Sequence, residues 1–199
     1  VNAPFFAYPI YQGPPVESVA DQIAFGALAV FAVGKFFLIF SFLFGFGFAT
    51  SIATDARAER ASGPRFARRL TALFVFGMLH AVFFFVGDIL MLYALLGVLL
   101  WLARGLSART LFMLGGGVYA LAVLAQALAL TATTVEDGGA ALRANAAYLG
   151  SFWDAVRFRA AEDIWGGQPF ILVFNGPAAL AMFLMGLALA KTGSFPGRP

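Results

Sequence analysis

The chain has 199 residues, of which 61% are hydrophobic and 12% charged, with a mean hydropathy of +0.87. A soluble domain carries about 25% charged residues and a smaller apolar share, so this composition, gathered into long apolar runs, excludes that class and predicts an all-α, multi-pass transmembrane helical bundle. Cysteine is absent and histidine occurs once, which excludes a disulfide framework and a zinc site built by this chain alone.

Residues 1–15 hold Pro4, Pro9, Pro14 and Pro15 among aromatic residues. Proline at this density opposes helix, and Phe5, Tyr8 and Tyr11 suit a membrane interface, so an interfacial loop is expected. The first residue is Val and no basic segment leads into an apolar core, so no signal peptide is read. Ser18 is a candidate N-cap. The first crossing is expected over about 23–51, longer than the roughly 20 helical residues a bilayer core needs. Lys35 then falls near one interface, where its ammonium can snorkel to water.

Residues 55–69 read as a connecting loop with Arg57, Arg60, Arg65, Arg68 and Arg69, turning at Gly63-Pro64. Two crossings follow, over about 70–87 and 88–103, joined by a tight turn at Gly87-Asp88. A second basic loop holds Arg104 and Arg109. The fourth crossing, about 110–131, runs through Gly115-Gly116-Gly117, with Gln126 near its far end. These glycines allow close helix approach. They form no phosphate loop, because no Lys-Ser or Lys-Thr follows. Residues 132–168 form a polar outer loop with short helices expected around 140–148 and 152–164, and Trp153 and Trp165 suit an interface. A fifth crossing spans about 169–190, with a kink expected at Asn175-Gly176-Pro177. The whole of 1–199 reads as a single transmembrane domain.

Basic residues are unevenly divided by this topology. Arg57, Arg60, Arg65, Arg68, Arg69, Arg104, Arg109, Lys191 and Arg198 share one face, against Arg143, Arg157 and Arg159 on the other. The positive-inside rule makes the first face cytoplasmic and loop 132–168 extracytoplasmic. The net charge of +3 is thereby explained by topology, and nucleic acid is not implied as a partner.

Few polar side chains remain that can carry chemistry. His80 lies inside an apolar segment and is a candidate general base, or a packing group bonded to a neighbouring helix. Asp88 is a candidate N-cap and a candidate orienting carboxylate for a base. On straight helices His80 would lie about 12 Å from Asp88 along the axis. Lys35 either snorkels or pairs with Asp88 at the outer rim. Tyr93, Gln126 and Asn175 suit interhelical hydrogen bonding, and Lys35, Tyr93 and Asn175 are the candidate substrate-binding residues. No cofactor is implied.

The runs KFFLIFSFLFGFGFA at 35–49, RRL at 68–70, GMLH at 77–80, GDILMLYALLG at 87–97 and MFLMGLALAKTG at 182–193 resemble the YeiB-like bacterial inner-membrane proteins, a family defined by a domain of unknown function. The resemblance implies residence in the bacterial inner (plasma) membrane, with a further helix ahead of Val1 and several more after residue 199. It also implies a distant similarity to the transmembrane acyltransferase superfamily, whose members move acyl groups from cytoplasmic donors to acceptors, often glycans.

Three functions stay open on the sequence. An acyl-transfer enzyme would use His80 as base on an acceptor hydroxyl, with Asp88 and Lys35 at the outer mouth and basic loops admitting the donor. A transporter would line its path with kinked helices. A non-catalytic subunit would pack its Phe-rich surfaces on a partner complex. The partners implied are the lipid bilayer, an acyl donor or lipid, and other membrane-protein subunits.

Overall fold

Residues 18–21, 23, 35–85, 87–129 and 138–193 are described in the structure, a computed structural model. The expected interfacial loop, the start of the first crossing and Arg198 lie outside the described residues. Among those described, every regular element is a helix. Ser18 caps as expected, its hydroxyl accepting from the Asp21 N–H at 3.1 Å.

Helix α1, Lys35–Arg57, continues past the expected charged boundary. Ala and Arg at 56–57 are strong helix formers, and Arg57 in the last turn complements the negative end of the helix dipole. The helix ends with Glu59 at φ 51° and the Arg60 N–H bonded to the Asp55 carbonyl, a left-handed termination usually given to glycine. Helix α2, Ser62–Phe83, follows at once. The loop expected over 55–69 is therefore only 58–61. Pro64, read as a turn, lies in the first turn of α2, where its missing N–H costs no helical hydrogen bond.

Helix α3, Leu90–Ala103, has 14 residues and measures about 21 Å at 1.5 Å per residue. That falls short of a hydrocarbon core of about 30 Å. The expected third crossing is therefore a short helix, with Met91, Leu92, Tyr93, Ala94, Leu96, Gly97 and Leu100 buried and Leu95, Val98, Leu99 and Leu102 exposed. It runs antiparallel to α2: Gly97 faces Leu70, and Trp101 stacks on Phe66 with centroids 5.6 Å apart. Helix α4 is Ala108–Ala129.

Within the expected outer loop, helix α5 is Gly138–Leu149 and helix α6 is Phe152–Phe158. A capping box between Ser151 and Asp154 starts α6. A π-helical turn, Arg159–Asp163, joins it to α7, Ile164–Lys191. The fifth crossing is therefore the inner part of one unbroken helix from Phe152 to Lys191, which runs through Pro169 and Pro177. Among the described residues four helices are long and apolar enough to cross a membrane: α1, α2, α4 and this composite helix.

Helix α7 is the hub, packing on α1, α4 and α3. Its crossing with α1 brings backbones into contact. A β-carbon on Gly45 would lie 2.0 Å from the Phe183 carbonyl oxygen, and one on Gly186 would lie 2.0 Å from that of Phe42. Without water to drive burial, close contact of small residues is how membrane helices gain dispersion energy. Gly115 serves the α4–α7 contact in the same way, lying against the Ala181 carbonyl, whereas Gly116 and Gly117 face open space. Around these crossings Phe44, Phe48, Leu92, Tyr93, Leu100 and Phe183 form the core.

Arg104 and Lys191 meet near the start of α2. Arg104 stacks on Trp101, which itself packs on Phe66 near the start of α2. The Lys191 ammonium donates to the Arg104 and Leu106 carbonyls at 2.5 and 2.7 Å. Gly45→Ala is expected to lower stability by about 1–3 kcal/mol or more, because the added methyl meets backbone that cannot yield. Gly47→Ala, with nothing within 4 Å of the added atom, is expected to be neutral; thermal unfolding of the two variants in detergent checks the contrast.

Candidate functional site

Helix α2 stops four residues before Gly87. The N–H groups of Phe84 and Phe85 both bond the His80 carbonyl at 2.9 Å, which closes the last turn and reverses the chain. The reversal carries Asp88 back to the side of α2. Its Oδ1 accepts from the Leu90 and Met91 N–H groups at 2.8 and 3.1 Å, so Asp88 caps α3 as expected. Its Oδ2 lies 2.8 Å from His80 Nδ1. The axial separation of about 12 Å on straight helices is therefore corrected: α2 ends at Phe83 rather than at 87, and the two side chains meet.

Gly77 makes room for this. It lies one turn before His80 on α2, and a β-carbon there would come within 2.6 Å of both Asp88 Oδ1 and the Met91 nitrogen. The Asp88 side chain is only 2% exposed, whereas that of His80 is 45% exposed. A buried carboxylate with all three donors satisfied is held rigidly. With a carboxylate as acceptor, Nδ1 of the neutral imidazole is the protonated nitrogen, so the lone pair is on Nε2. Nε2 makes no hydrogen bond among the described residues. Phe84 stacks beside the ring at 5.9 Å and Phe85 meets it edge-on at 6.5 Å.

The remaining sequence candidates fall elsewhere. Lys35 is exposed at the start of α1, and no ion pair joins it to Asp88 among the described residues. Asp88 instead spends Oδ1 on the first N–H groups of α3 and Oδ2 on His80. The Tyr93 and Ser41 hydroxyls are buried, 2.7 Å apart, and both reach the Phe37 carbonyl, at 3.1 and 2.8 Å. Tyr93 thus ties α3 to α1, the interhelical role expected of it. Gln126 Nε2 donates to the Phe174 carbonyl at 2.9 Å, beside the backbone that Pro177 leaves without a donor. Asn175 is exposed on α7, and no hydrogen bond joins it to His80 among the described residues. Among the described residues no group of acidic and histidine side chains is arranged to hold a metal ion.

Sequence reading missed Arg159. It is 6% exposed, and its Nε and Nη2 donate to the Val82 and Phe83 carbonyls at 2.7 and 3.0 Å. Those carbonyls belong to the last turn of α2 and have no helical partner, so Arg159 fixes the end of the helix that carries His80. The π turn sets this residue inward, an irregularity often found at functional sites. The Tyr148 ring lies under the guanidinium at 5.6 Å, and its hydroxyl donates to Asp163. Burial and the neighbouring Asp163 carboxylate push the Tyr148 hydroxyl well above its usual value. The sequence signal was an arginine with apolar neighbours at helical spacing, which does not by itself tell a buried face from a solvated one. A second apolar feature, a cleft of about 670 Å³ walled by Met78, Val82, Leu95, Trp165 and Leu172, opens between α2, α3 and α7. His80 does not line it.

Comparison with known proteins places the chain near two bacterial relatives. A stretch of 104 residues is 40% identical to the Bacillus subtilis (strain 168) protein named "Uncharacterized protein YxaH", covering 52% of this chain and 26% of that protein. A stretch of 87 residues is 38% identical to the "Uncharacterized 39.9 kDa protein in amylase 3'region" of Bacillus acidopullulyticus, covering 44% of this chain and 25% of that protein. The matches span about a quarter of the length of each relative. No family model matches the chain, and no solved structure does.

Asp88→Ala removes a cap and the imidazole's partner together and is expected to destabilise the protein by about 1–2 kcal/mol. Asp88→Asn keeps a capping oxygen and is expected to retain most of that stability; chemical or thermal unfolding of both variants measures the difference.

Proposed function

We propose that this chain carries the proton-transfer pair of a membrane enzyme that moves an acyl group onto a hydroxyl acceptor at the face opposite its arginine-rich end. The observation that carries the reading is the His80–Asp88 pair: a rigid, buried carboxylate on Nδ1 of a partly exposed imidazole. This is the base-and-orienter arrangement that activates hydroxyl nucleophiles on unrelated folds. The resemblance to the YeiB-like proteins, and through them to transmembrane acyltransferases, supports the same chemistry.

In this reading Nε2 of His80 takes the proton of the acceptor hydroxyl as its oxygen attacks the carbonyl carbon of an activated acyl donor. The new bond is the ester C–O bond, and the bond that breaks joins the acyl carbon to the donor's leaving group. The imidazolium, stabilised by Asp88, returns the proton to that leaving group. Asp88 itself stays ionised and acts by holding ring and tautomer in place. The chain resides in the bacterial inner membrane, with the end bearing Arg57, Arg104 and Lys191 in the cytoplasm, following the positive-inside rule.

General-base catalysis contributes about 10²–10⁴-fold, so His80→Ala in the full-length protein is expected to lower acyl transfer by at least about 100-fold in a cell assay with labelled donor. Asp88→Asn, which favours the wrong tautomer, is expected to lower it while leaving the protein folded. Unchanged transfer in His80→Ala overturns the proposal.

A further inference from the structure

The crevice between α1 and α2 has no part in the chemistry proposed above. At the arginine-rich end it opens into a polar pocket of about 370 Å³ lined by Thr50, Ser51, Thr54, Asp55, Arg65 and Arg69, with Phe66. Asp55 is 2% exposed and is paired with Nη1 of Arg65, whose other N–H donors make no hydrogen bond among the described residues. Arg69 has no ion pair among the described residues and lies over the Phe44 ring at 4.9 Å. Two guanidinium groups against one carboxylate leave the pocket one positive charge in excess. Thr50 and Thr54 spend their hydroxyl protons on the Gly47 and Thr50 carbonyls, which leaves Ser51 as the hydroxyl donor.

Arg69 and Phe66 close this pocket on one side, and Arg69 also begins a second enclosure. That one is an apolar groove of about 460 Å³ with Phe40, Leu43, Phe44 and Leu73 as walls and Leu90 and Tyr93 as floor. Phe40 and Leu43 are 57% and 51% exposed, so the groove faces the lipid side of α1. From Arg69 it runs toward Ile89 and Leu90, next to Asp88 and hence to the level of His80. Eleven residues of α2 separate Arg69 from His80, a rise of about 16 Å. That is about half the thickness of a hydrocarbon core.

We infer that the α1–α2 crevice is a binding site for one anionic phospholipid of the leaflet at the arginine-rich end. Its phosphodiester sits against Arg69 and the unpaired edge of Arg65, and one acyl chain lies along Phe40, Leu43 and Leu73. The single excess positive charge matches the single negative charge of a phosphodiester. A planar guanidinium that stacks on Phe44 is pre-organised for phosphate oxygens in a way that a lysine ammonium is not. A zwitterionic lipid brings its own cation and gains less from the pocket.

The test uses the full-length protein equilibrated in detergent with dioleoylphosphatidylglycerol or dioleoylphosphatidylcholine, read by native mass spectrometry. Wild type is expected to retain phosphatidylglycerol in preference. Arg69→Gln is expected to weaken that retention about tenfold, the loss of one charge-assisted contact. Arg60→Gln, on the neighbouring loop but outside the crevice, is expected to change it little. Arg65 is left intact because its removal would strand the buried Asp55 carboxylate. An unchanged melting temperature for Arg69→Gln in lipid-free detergent establishes that a loss of binding is not a loss of fold. Equal weakening by the two variants would mean diffuse surface charge and overturn the assignment, as would equal retention of the two lipids. Stabilisation by millimolar inorganic phosphate equal to that by phosphatidylglycerol would make the pocket a soluble-anion site and overturn the lipid reading.

Discussion

The backbone contact of α1 with α7 at Gly45 and Gly186 is the constraint on which the rest of the bundle depends. With no side chain between the two helices, their separation and crossing are set by main-chain atoms, which cannot repack. Phe44, Phe48 and Phe183 then fill the space to either side. Helix α3 is short and packs its buried face on α2 and α7, with Tyr93 tied to Ser41 of α1. A helix in that position cannot shift without moving its neighbours, so whatever is fastened to its first turn inherits the rigidity of the core.

Asp88 is what is fastened there. Its carboxylate joins the start of α3 to the end of α2 through three donors, two on the backbone and one on His80. Arg159 holds the same end of α2 from the other side by bonding its last carbonyls. His80 therefore projects from a helix terminus gripped by a buried anion and a buried cation, although its own ring is partly exposed. Burial of the supporting groups with exposure of the working ring is what pre-organisation requires: the orienting charges are shielded from competing water while the nitrogen that exchanges protons stays reachable.

Apolar run lengths made the helical class and most of the crossings legible, because a bilayer imposes one length scale on every span. They did not reveal that α3 has only 14 residues, because the apolar run continues through the turn that precedes it. Composition also misled at 55–69, where Arg and Ala continue a helix as readily as they mark a loop. At the site, the residue types were legible and their juxtaposition was not. His80 and Asp88 stood out as the ionisable groups of an apolar stretch. Their contact depends on where α2 stops, which backbone hydrogen bonds at Phe84 and Phe85 decide, and on a notch at Gly77 that no periodicity marks. Of the two roles open to Lys35, the pairing with Asp88 rested on shared level alone, and a shared level does not bring two side chains together.

The composite helix from Phe152 to Lys191 has a consequence for shape. Its 40 residues extend about 60 Å along the axis, some twice the thickness of a hydrocarbon core. One end, at Lys191, is tethered to the carbonyls of the loop after α3. The other passes the last turn of α2, where Arg159 bonds the Val82 and Phe83 carbonyls, and its first turns carry the capping box at Ser151 and the exposed ring of Trp153. Helix α5 leans on those turns through Tyr148 and Asp163. The π turn that contains Arg159 lies along the same rod, so a load applied to its first turns reaches the end of the His80 helix through continuous backbone.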